Sequence, residues 1–432
     1  LCFSDDYENE ICNTMDSFQP EIIGLSIRNI DSCCLVFPEF FLDRTKQVVE
    51  KCRNYSAAPI VLGGTGFSVL PEAVLEYLNV ELGIVGEAET AFPKLLKNLT
   101  LNRELSDVPG LVRNKAPKLR NPLDFIAELD SCCAVDYSVF LPEYQTTGIR
   151  PNIGFTQNGV NLQTKRGCIM NCVYCNYSYI DGRTIRLRNP IGIQKDIRGL
   201  LAESWVKKPL KITIVDNVFN YPYQHALDIC RMLQEFSGQI AWTAGLHPKF
   251  CDQTLIREMK TAGCTQVDFS VDSCSAAVIE RYQKGFLQEE LQKCCEYCHQ
   301  YDLPFGLFLI FGGPGETEAS IRETVHFVEK IKPRNVLVNV GMRIYPGAPL
   351  YDLALNHGWI TKEDSLLAPR FYLDPAFDLK CVQLLLEIKT AHPNWYFMGS
   401  GRVDLGIRLR EIVNSNLEYS RKPVSKEIIN NK

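Results

Sequence analysis

Residues 164–177 read TKRGCIMNCVYCNY and place three cysteines, Cys168, Cys172 and Cys175, within eight residues. Three thiolates are one short of the four that close a structural zinc site or fill the ligand shell of a cubane iron–sulfur cluster. Such a loop can bind three irons of a cubane cluster and leave the fourth iron free to bind a substrate. Zinc with a distant fourth ligand and incidental thiols are the alternatives, but no second cysteine doublet and no histidine at short spacing lies near residue 175.

Strand-like runs alternate with helical segments on both sides of this motif. The runs are VNLQTKRG from 160, KITIVDN from 211, QIAWTAG from 239, QVDFSVDS from 266, FGLFLIFGG from 305 and NVLVNVGMRIYP from 335. Six βα repeats favour an open parallel barrel over a flat sheet. We therefore predict a partial (β/α)6 TIM-like barrel over residues 156–350, with the cysteines after its first strand, where βα loops build active sites.

An α/β pattern also occupies the amino-terminal part of the chain. The runs EIIGLSIR at 21–28, APIVLGGTG at 58–66 and ELGIVGEAE at 81–89 are apolar, and the last two contain glycine turns. They predict a Rossmann-like parallel-sheet domain over residues 1–120, truncated at its amino terminus and missing its first strand. Prolines then indicate a linker at 121–155, and residues 351–432 form a carboxyl-terminal extension.

Composition narrows the classes of function. The chain has 432 residues and a net charge of -5, and no stretch concentrates Lys and Arg as nucleic-acid binding requires. No apolar run approaches the roughly 18 to 20 residues that span a bilayer. Eighteen cysteines in pairs and triplets suggest a reduced compartment, so we expect a cytoplasmic protein without a nucleic-acid or membrane partner. The remaining cysteine groups, Cys33 with Cys34, Cys132 with Cys133, and Cys294, Cys295 and Cys298, are expected to be incidental.

With Tyr174 inside it and a strand before it, the cysteine motif resembles that of the radical S-adenosylmethionine (SAM) family. The resemblance implies that the three catalytic cysteines hold a [4Fe-4S] cluster. The amino and carboxylate groups of SAM would then complete the coordination of its fourth iron. It covers residues 160–346, although IVDNVFN stands where the family often has a Gly-Gly-Glu run. The further cofactor-binding residues that it nominates are Tyr174, Asp216, Asn217, Ser270, Asp272, Gly312, Gly313, Arg343 and Tyr345.

Each of these positions also has an ordinary structural interpretation. Ser270 and Asp272 could cap a helix, the glycines could turn the chain, and Arg343 could be a solvated charge. Their order along the chain, together with the cysteines, is what favours the family.

The amino-terminal domain resembles the cobalamin-binding domain that is fused to many radical SAM enzymes. The positions nominated for cobalamin are Ser26, Arg28, Asn29, Gly63, Gly64, Ser68, Gly86 and Glu87. A generic flavodoxin-like or Rossmann-like domain with another ligand, or with none, is the alternative, although the G-x-G-x-x-G fingerprint is absent from the sequence. The Asp-x-His-x-x-Gly loop that supplies a cobalt ligand in some cobalamin domains is absent as well.

The two resemblances together imply a cobalamin-dependent radical SAM enzyme, most often a methyltransferase. Such an enzyme cleaves SAM to a 5′-deoxyadenosyl radical and uses methylcobalamin to methylate an unactivated carbon of a small molecule or peptide. An electron donor such as flavodoxin or ferredoxin is implied. The alternatives are a cobalamin-assisted rearrangement or cyclisation, a methylthiotransferase-like enzyme, and a non-catalytic zinc-binding protein.

Overall fold

The computed structural model describes residues 6–132, 159–204 and 206–419. Most of the predicted linker, and Cys133 with it, therefore lies outside the described residues. The strands are β1 Ile23–Ser26, β2 Ile60–Gly63, β3 Leu82–Ile84, β4 Leu111–Arg113, β5 Leu119–Arg120, β6 Gly159–Leu162, β7 Lys165–Arg166, β8 Arg186–Leu187, β9 Leu210–Ile214, β10 Ile240–Leu246, β11 Cys264–Asp272, β12 Phe305–Phe311, β13 Asn335–Val340, β14 Met342–Arg343, β15 Phe371–Tyr372 and β16 Trp395–Phe397.

Helices connect most of these strands. They are α1 Tyr7–Phe18, α2 Leu42–Tyr55, α3 Thr65–Val69, α4 Pro71–Tyr77, α5 Ala91–Thr100, α6 Tyr177–Ile180, α7 Pro190–Ala202, α8 Tyr223–Leu233, α9 Gln253–Thr261, α10 Ala276–Arg281, α11 Gln288–Gln300, α12 Glu318–Ile331, α13 Pro349–Asn356, α14 Leu379–Ala391 and α15 Leu405–Tyr419. Within the described part of the chain, none of these helices has the length and apolar character needed to cross a membrane.

The first sheet contains strands β1 to β5 in sequence order. Strands β1, β2 and β3 are parallel, and β4 and β5 are added to β3 as antiparallel strands. The three predicted parallel strands are thus confirmed. The periodicity did not predict β4 and β5, because strands of three and two residues are too short to show an alternating pattern.

The second sheet is entirely parallel and has the order β16-β13-β12-β11-β10-β9-β6. All six strand runs predicted around the cysteine motif are present in it. Strand β16, which pairs with β13, was not predicted, because it is only three residues long and its central residue, Tyr396, is exposed. Large fully buried side chains such as Trp242, Phe269 and Phe311 fill the core beneath this sheet.

The loop that follows β1 joins the first sheet to the second. Its Asp31 carboxylate accepts a hydrogen bond from Arg343 Nε beyond β13, at 2.9 Å, and both side chains are buried. Farther along the loop, the Val36 carbonyl accepts from Arg408 Nε of α15 at 3.2 Å. Asp31 and Arg343 lie on the segments that follow β1 and β13, so their contact joins the carboxyl ends of these two strands.

The first sheet depends on a close contact between Gly83 of β3 and the Phe67 ring of α3. A Cβ atom added at Gly83 would overlap the ring, and Phe67 is fully buried. We expect Gly83→Ala to lower the free energy of unfolding by about 1–3 kcal/mol, the usual cost of overpacking a filled core. Urea unfolding measures this change.

Gly24→Ala is the matched control, because its added Cβ would lie 3.6 Å from Phe92 in ordinary contact. Adding Phe67→Leu to Gly83→Ala should cost less than the sum of the two single changes, since the smaller side chain makes room for the methyl group. Strict additivity would mean that the ring does not cause the effect.

Candidate active site

The three cysteines lie on a loop at the carboxyl edge of the second sheet. Strand β7 precedes this loop and strand β8 follows it, and the two strands pair as an antiparallel hairpin. Backbone hydrogen bonds fix it at several points: Cys168 N donates to Gly182 O at 3.0 Å, Val173 N donates to Tyr282 O at 3.0 Å, and Leu350 N donates to Val173 O at 2.8 Å. The loop is therefore held by segments that are distant in sequence.

The thiols of this loop occupy a low-dielectric environment. Cys168 is buried, and Cys172 and Cys175 are partly buried. Burial raises the pKa of all three thiols, that of Cys175 to about 12. Within residues 6–132, 159–204 and 206–419, no three His, Cys, Asp or Glu side chains converge as the ligands of a single metal ion would. A cubane does not need that convergence, because each thiolate binds a different iron, and thiolates are its normal ligands.

A buried network beside Cys172 contains two of the nominated residues and one that the sequence did not reveal. Asp272 accepts hydrogen bonds from Tyr174 Oη at 2.8 Å and from Lys284 Nζ at 2.6 Å. The Lys284 ammonium also acts to lower the pKa of the Cys172 thiol, against the larger effect of burial. Burial alone would lower the pKa of Lys284, but the Asp272 carboxylate outweighs it and raises that pKa. A positive charge is thus fixed next to the cysteine loop.

The polar residues after β9 lie beside the same loop. Asp216 is buried, and its carboxylate accepts from Thr164 N at 2.8 Å and from Lys165 Nζ at 3.0 Å. Asn217 Nδ2 donates to Asp181 Oδ2 at 2.9 Å. Both residues therefore anchor the segments that flank the cysteines, and direct contact with SAM stays a prediction for both.

The remaining nominated residues of the second sheet occupy two environments. Ser270 is exposed on β11, whereas the glycines after β12 are packed. A Cβ atom at Gly313 would lie 2.5 Å from Tyr282 Oη, and one at Gly312 would overlap Leu373. These glycines thus allow close packing at the end of β12. Tyr282, which the sequence did not single out, accepts a hydrogen bond from Gly313 N at 3.0 Å.

Arg343 and Tyr345 lie where the two sheets meet. Arg343 is buried between Asp31 and the Leu366 carbonyl, to which its Nη2 donates at 2.6 Å, so it is not a solvated charge. The Tyr345 hydroxyl lies 3.0 Å from the Cys33 thiol. The structure thus gives Arg343 a bridging position, and its contact with SAM stays a prediction.

The glycine turns of the first sheet are packed against one another. Gly64 has φ 92°, and a Cβ atom there would lie 2.6 Å from Ile27 O. Ser68 Oγ donates to Gly64 O at 2.9 Å and accepts from Gly86 N at 3.0 Å. Of the nominated cobalamin contacts, Ser26, Arg28 and Asn29 are exposed, Gly63, Gly64 and Gly86 are half-buried, and Ser68 is buried.

Glu87 differs from the other nominated cobalamin contacts because its carboxylate faces the hairpin that frames the cysteines. Its side chain is 7% exposed and forms ion pairs with Arg186 at 2.7 Å and with Arg166 at 3.4 Å. It also accepts from Ile126 N at 2.8 Å. Glu87 therefore connects the first sheet to the cysteine loop, a role that sequence reasoning missed because both arginines lie far along the chain.

Glu316, at the end of the glycine segment that follows β12, gives the site a pH-dependent element. Burial raises its pKa from near 4.5 to about 7, although hydrogen bonds from Ser320 and Tyr282 oppose the shift. The folded chain therefore binds more protons than the unfolded chain between these two values, and stability falls as the pH rises through 7.

We expect Glu316→Gln, which stays neutral, to remove this dependence. Relative to the native chain it should gain up to about 3 kcal/mol of unfolding free energy between pH 4.5 and pH 8. Urea unfolding at several pH values measures the slope. The control is Glu318→Gln, a partly exposed partner of Arg322. An unchanged slope in the Glu316 variant would rule out a titrating Glu316.

Comparison with known proteins gives consistent findings. Residues 162–328 match the radical SAM superfamily. An uncharacterized methyltransferase of Pyrococcus horikoshii is 25% identical and aligns with 82% of this chain and 72% of its own length. Tryptophan 2-C-methyltransferase of Streptomyces laurentii is 22% identical, over 79% of this chain and 66% of its own length.

A solved structure shares the fold of this chain. It is that of the radical S-adenosylmethionine methyltransferase TsrM from Kitasatospora setae, with cobalamin and a [4Fe-4S] cluster bound. The two chains are 18% identical and superpose with a TM-score of 0.75, over 96% of this chain and 91% of TsrM. This likeness confirms an α/β fold with a parallel sheet.

Proposed function

We propose that this chain, whose residues 162–328 match the radical SAM superfamily, is a cobalamin-dependent methyltransferase that acts on an unactivated carbon. The observation that carries the proposal is the contact between Glu87 and the arginines Arg166 and Arg186. It sets the glycine turns of the first sheet against the hairpin that frames the cysteines. A methyl carrier on one sheet and a radical source on the other would then share one cavity. The similar methyltransferases support the same reaction class.

The cysteine loop fits a [4Fe-4S] cluster. Cys168, Cys172 and Cys175 would hold three irons, and the open iron would bind SAM. When bound, the cluster supplies the electron that cleaves SAM to a 5′-deoxyadenosyl radical, and cobalamin carries the methyl group. The Lys284 ammonium beside Cys172 favours the anionic, thiolate form that a cluster ligand requires.

The first sheet offers features that suit cobalamin. Gly64 and Ser68 close the turns tightly, which leaves the exposed Ser26, Arg28 and Asn29 at the carboxyl edge. The Arg28 guanidinium has no ion-pair partner among the described residues, so it is available to the phosphate of the cobalamin nucleotide tail. We assign Glu87 to positioning the two sheets, in place of the cobalamin contact inferred from the sequence.

The finer architecture belongs to the same proposal. We interpret the first sheet as the Rossmann-like cobalamin domain of residues 1–120, and the second as a partial barrel that begins near residue 156. The parallel register of six consecutive βα strands supports the barrel. Strand β16 adds a seventh strand to it from within the segment 351–432.

A small-molecule or peptide substrate, an electron donor such as flavodoxin or ferredoxin, and a cytoplasmic location stay predictions from the sequence. A cobalamin-assisted rearrangement would use the same site. It would consume SAM only for the radical and would leave the product unmethylated.

Replacing Cys168, Cys172 and Cys175 together with alanine should abolish cluster binding, because it removes every thiolate of the loop. After anaerobic reconstitution with iron and sulfide, we expect loss of the broad visible absorbance and of 5′-deoxyadenosine formation from SAM. Cys12→Ala, a partly buried cysteine of α1, is the control and should retain both. Continued SAM cleavage by the triple variant would contradict the assignment.

Gly64→Ala tests the cobalamin site separately. Because its Cβ would meet Ile27 O, the turn must shift, and we expect hydroxocobalamin binding to weaken about tenfold or more while the iron content stays constant. Equilibrium dialysis with absorbance detection measures the affinity. Gly401→Ala, where an added Cβ meets nothing within 4 Å, is the control. Equal affinity in both variants would place cobalamin elsewhere.

A further inference from the structure

A cavity lies outside the site described above, between the β14–β15 ribbon and helix α15. Its volume is about 250 Å³. Its walls come from the loop after β1, the ribbon, the segment after α13, and α15. The residues that line it are Leu35, Ile344, Gly358, Trp359, Pro369, Arg370, Phe371, Arg408, Ile412 and Ser415.

The polar groups of this cavity are mainly hydrogen-bond donors. It contains two guanidinium groups, and none of the described residues that line it is acidic. Arg408 is partly neutralised, because its Nη1 pairs with Glu411 at 3.2 Å and its Nε donates to Val36 O. The Arg370 guanidinium and the Trp359 indole N–H have no acceptor in the part of the chain that the structure describes. The Arg370 guanidinium is half-buried at the cavity wall, so an anionic ligand can pair with it.

Apolar side chains form the rest of the wall. Ile344 is buried, and Phe371 and Ile412 are partly buried. The Trp359 ring packs against Tyr372 with ring centroids 4.4 Å apart, which fixes its orientation. Apolar surface combined with a few convergent polar groups is the usual composition of a small-molecule site.

We propose that this cavity binds an apolar organic anion. Its carboxylate, sulfonate or phosphate group would accept hydrogen bonds from Arg370 and Trp359, and its aromatic or aliphatic body would pack against Phe371, Ile344 and Ile412. The proposal goes beyond the methyltransferase assignment and does not depend on it.

The test compares two probes that differ mainly in a single charge. 8-Anilinonaphthalene-1-sulfonate carries an aromatic body and a sulfonate, and N-phenyl-1-naphthylamine carries the same body without the charge. Fluorescence titrations would use the reconstituted full chain. We expect Arg370→Gln to weaken binding of the sulfonate about tenfold and to change binding of the neutral probe less than about twofold.

Arg402→Gln is the control, since Arg402 is exposed and is not among the lining residues. Trp359→Phe keeps the aromatic ring but removes the N–H, and it should also weaken the sulfonate selectively. Unchanged melting temperatures would show that both variants fold. Equal sulfonate affinity in native chain and Arg370→Gln, or equal loss in Arg402→Gln, would overturn the proposal, as would failure of the native chain to bind the sulfonate.

Discussion

Two buried ion pairs join loops of the first sheet to the β7–β8 hairpin and to β14, which follow β6 and β13 of the second sheet along the chain. Glu87 pairs with Arg186 beside the cysteine loop, and Asp31 pairs with Arg343 beyond β13. Removing one partner of a buried pair is strongly destabilising, by about 3–5 kcal/mol, because the other charge stays buried. These pairs therefore fix a relative position that apolar packing alone would specify less strictly. The candidate site depends on that position, since its two halves belong to different sheets.

The chemistry proposed for the site places a second demand on the structure. A cluster at the cysteine loop needs thiolates, but burial favours the protonated thiols. The Lys284 ammonium offsets this at Cys172, and Asp272 in turn stabilises the ammonium. The lysine thus offsets the effect of burial only in part, because the pKa of the Cys172 thiol stays raised.

The fold was largely predictable from the sequence, because long apolar runs such as Phe305–Phe311 are hard to place anywhere but in a buried parallel strand. Short strands were not. Strand β16 has three residues and an exposed centre, so its place in the sheet depends on its pairing with β13. The cysteine triplet of α11, Cys294, Cys295 and Cys298, is buried in the main core, and its incidental role stays a prediction.

The cysteine motif of the candidate site was predictable from the sequence, but the contacts that support the motif were not. Spacing alone drew attention to Cys168, Cys172 and Cys175. Nothing local distinguishes Lys284, because its importance comes from Asp272, which reaches it only through the fold. In the same way, Glu87 looked like a residue of a cofactor turn, but its partner Arg186 is 99 positions away and could not be recognised from the sequence.

If the three cysteines bind three irons of a cluster, the fourth iron is free for SAM. Mössbauer spectroscopy of the chain reconstituted with 57Fe, recorded before and after addition of SAM, tests this arrangement. One iron in four should change its isomer shift when SAM binds, while the other three should not. Four irons that do not respond to SAM, or iron that does not assemble into a four-iron cluster, would contradict it.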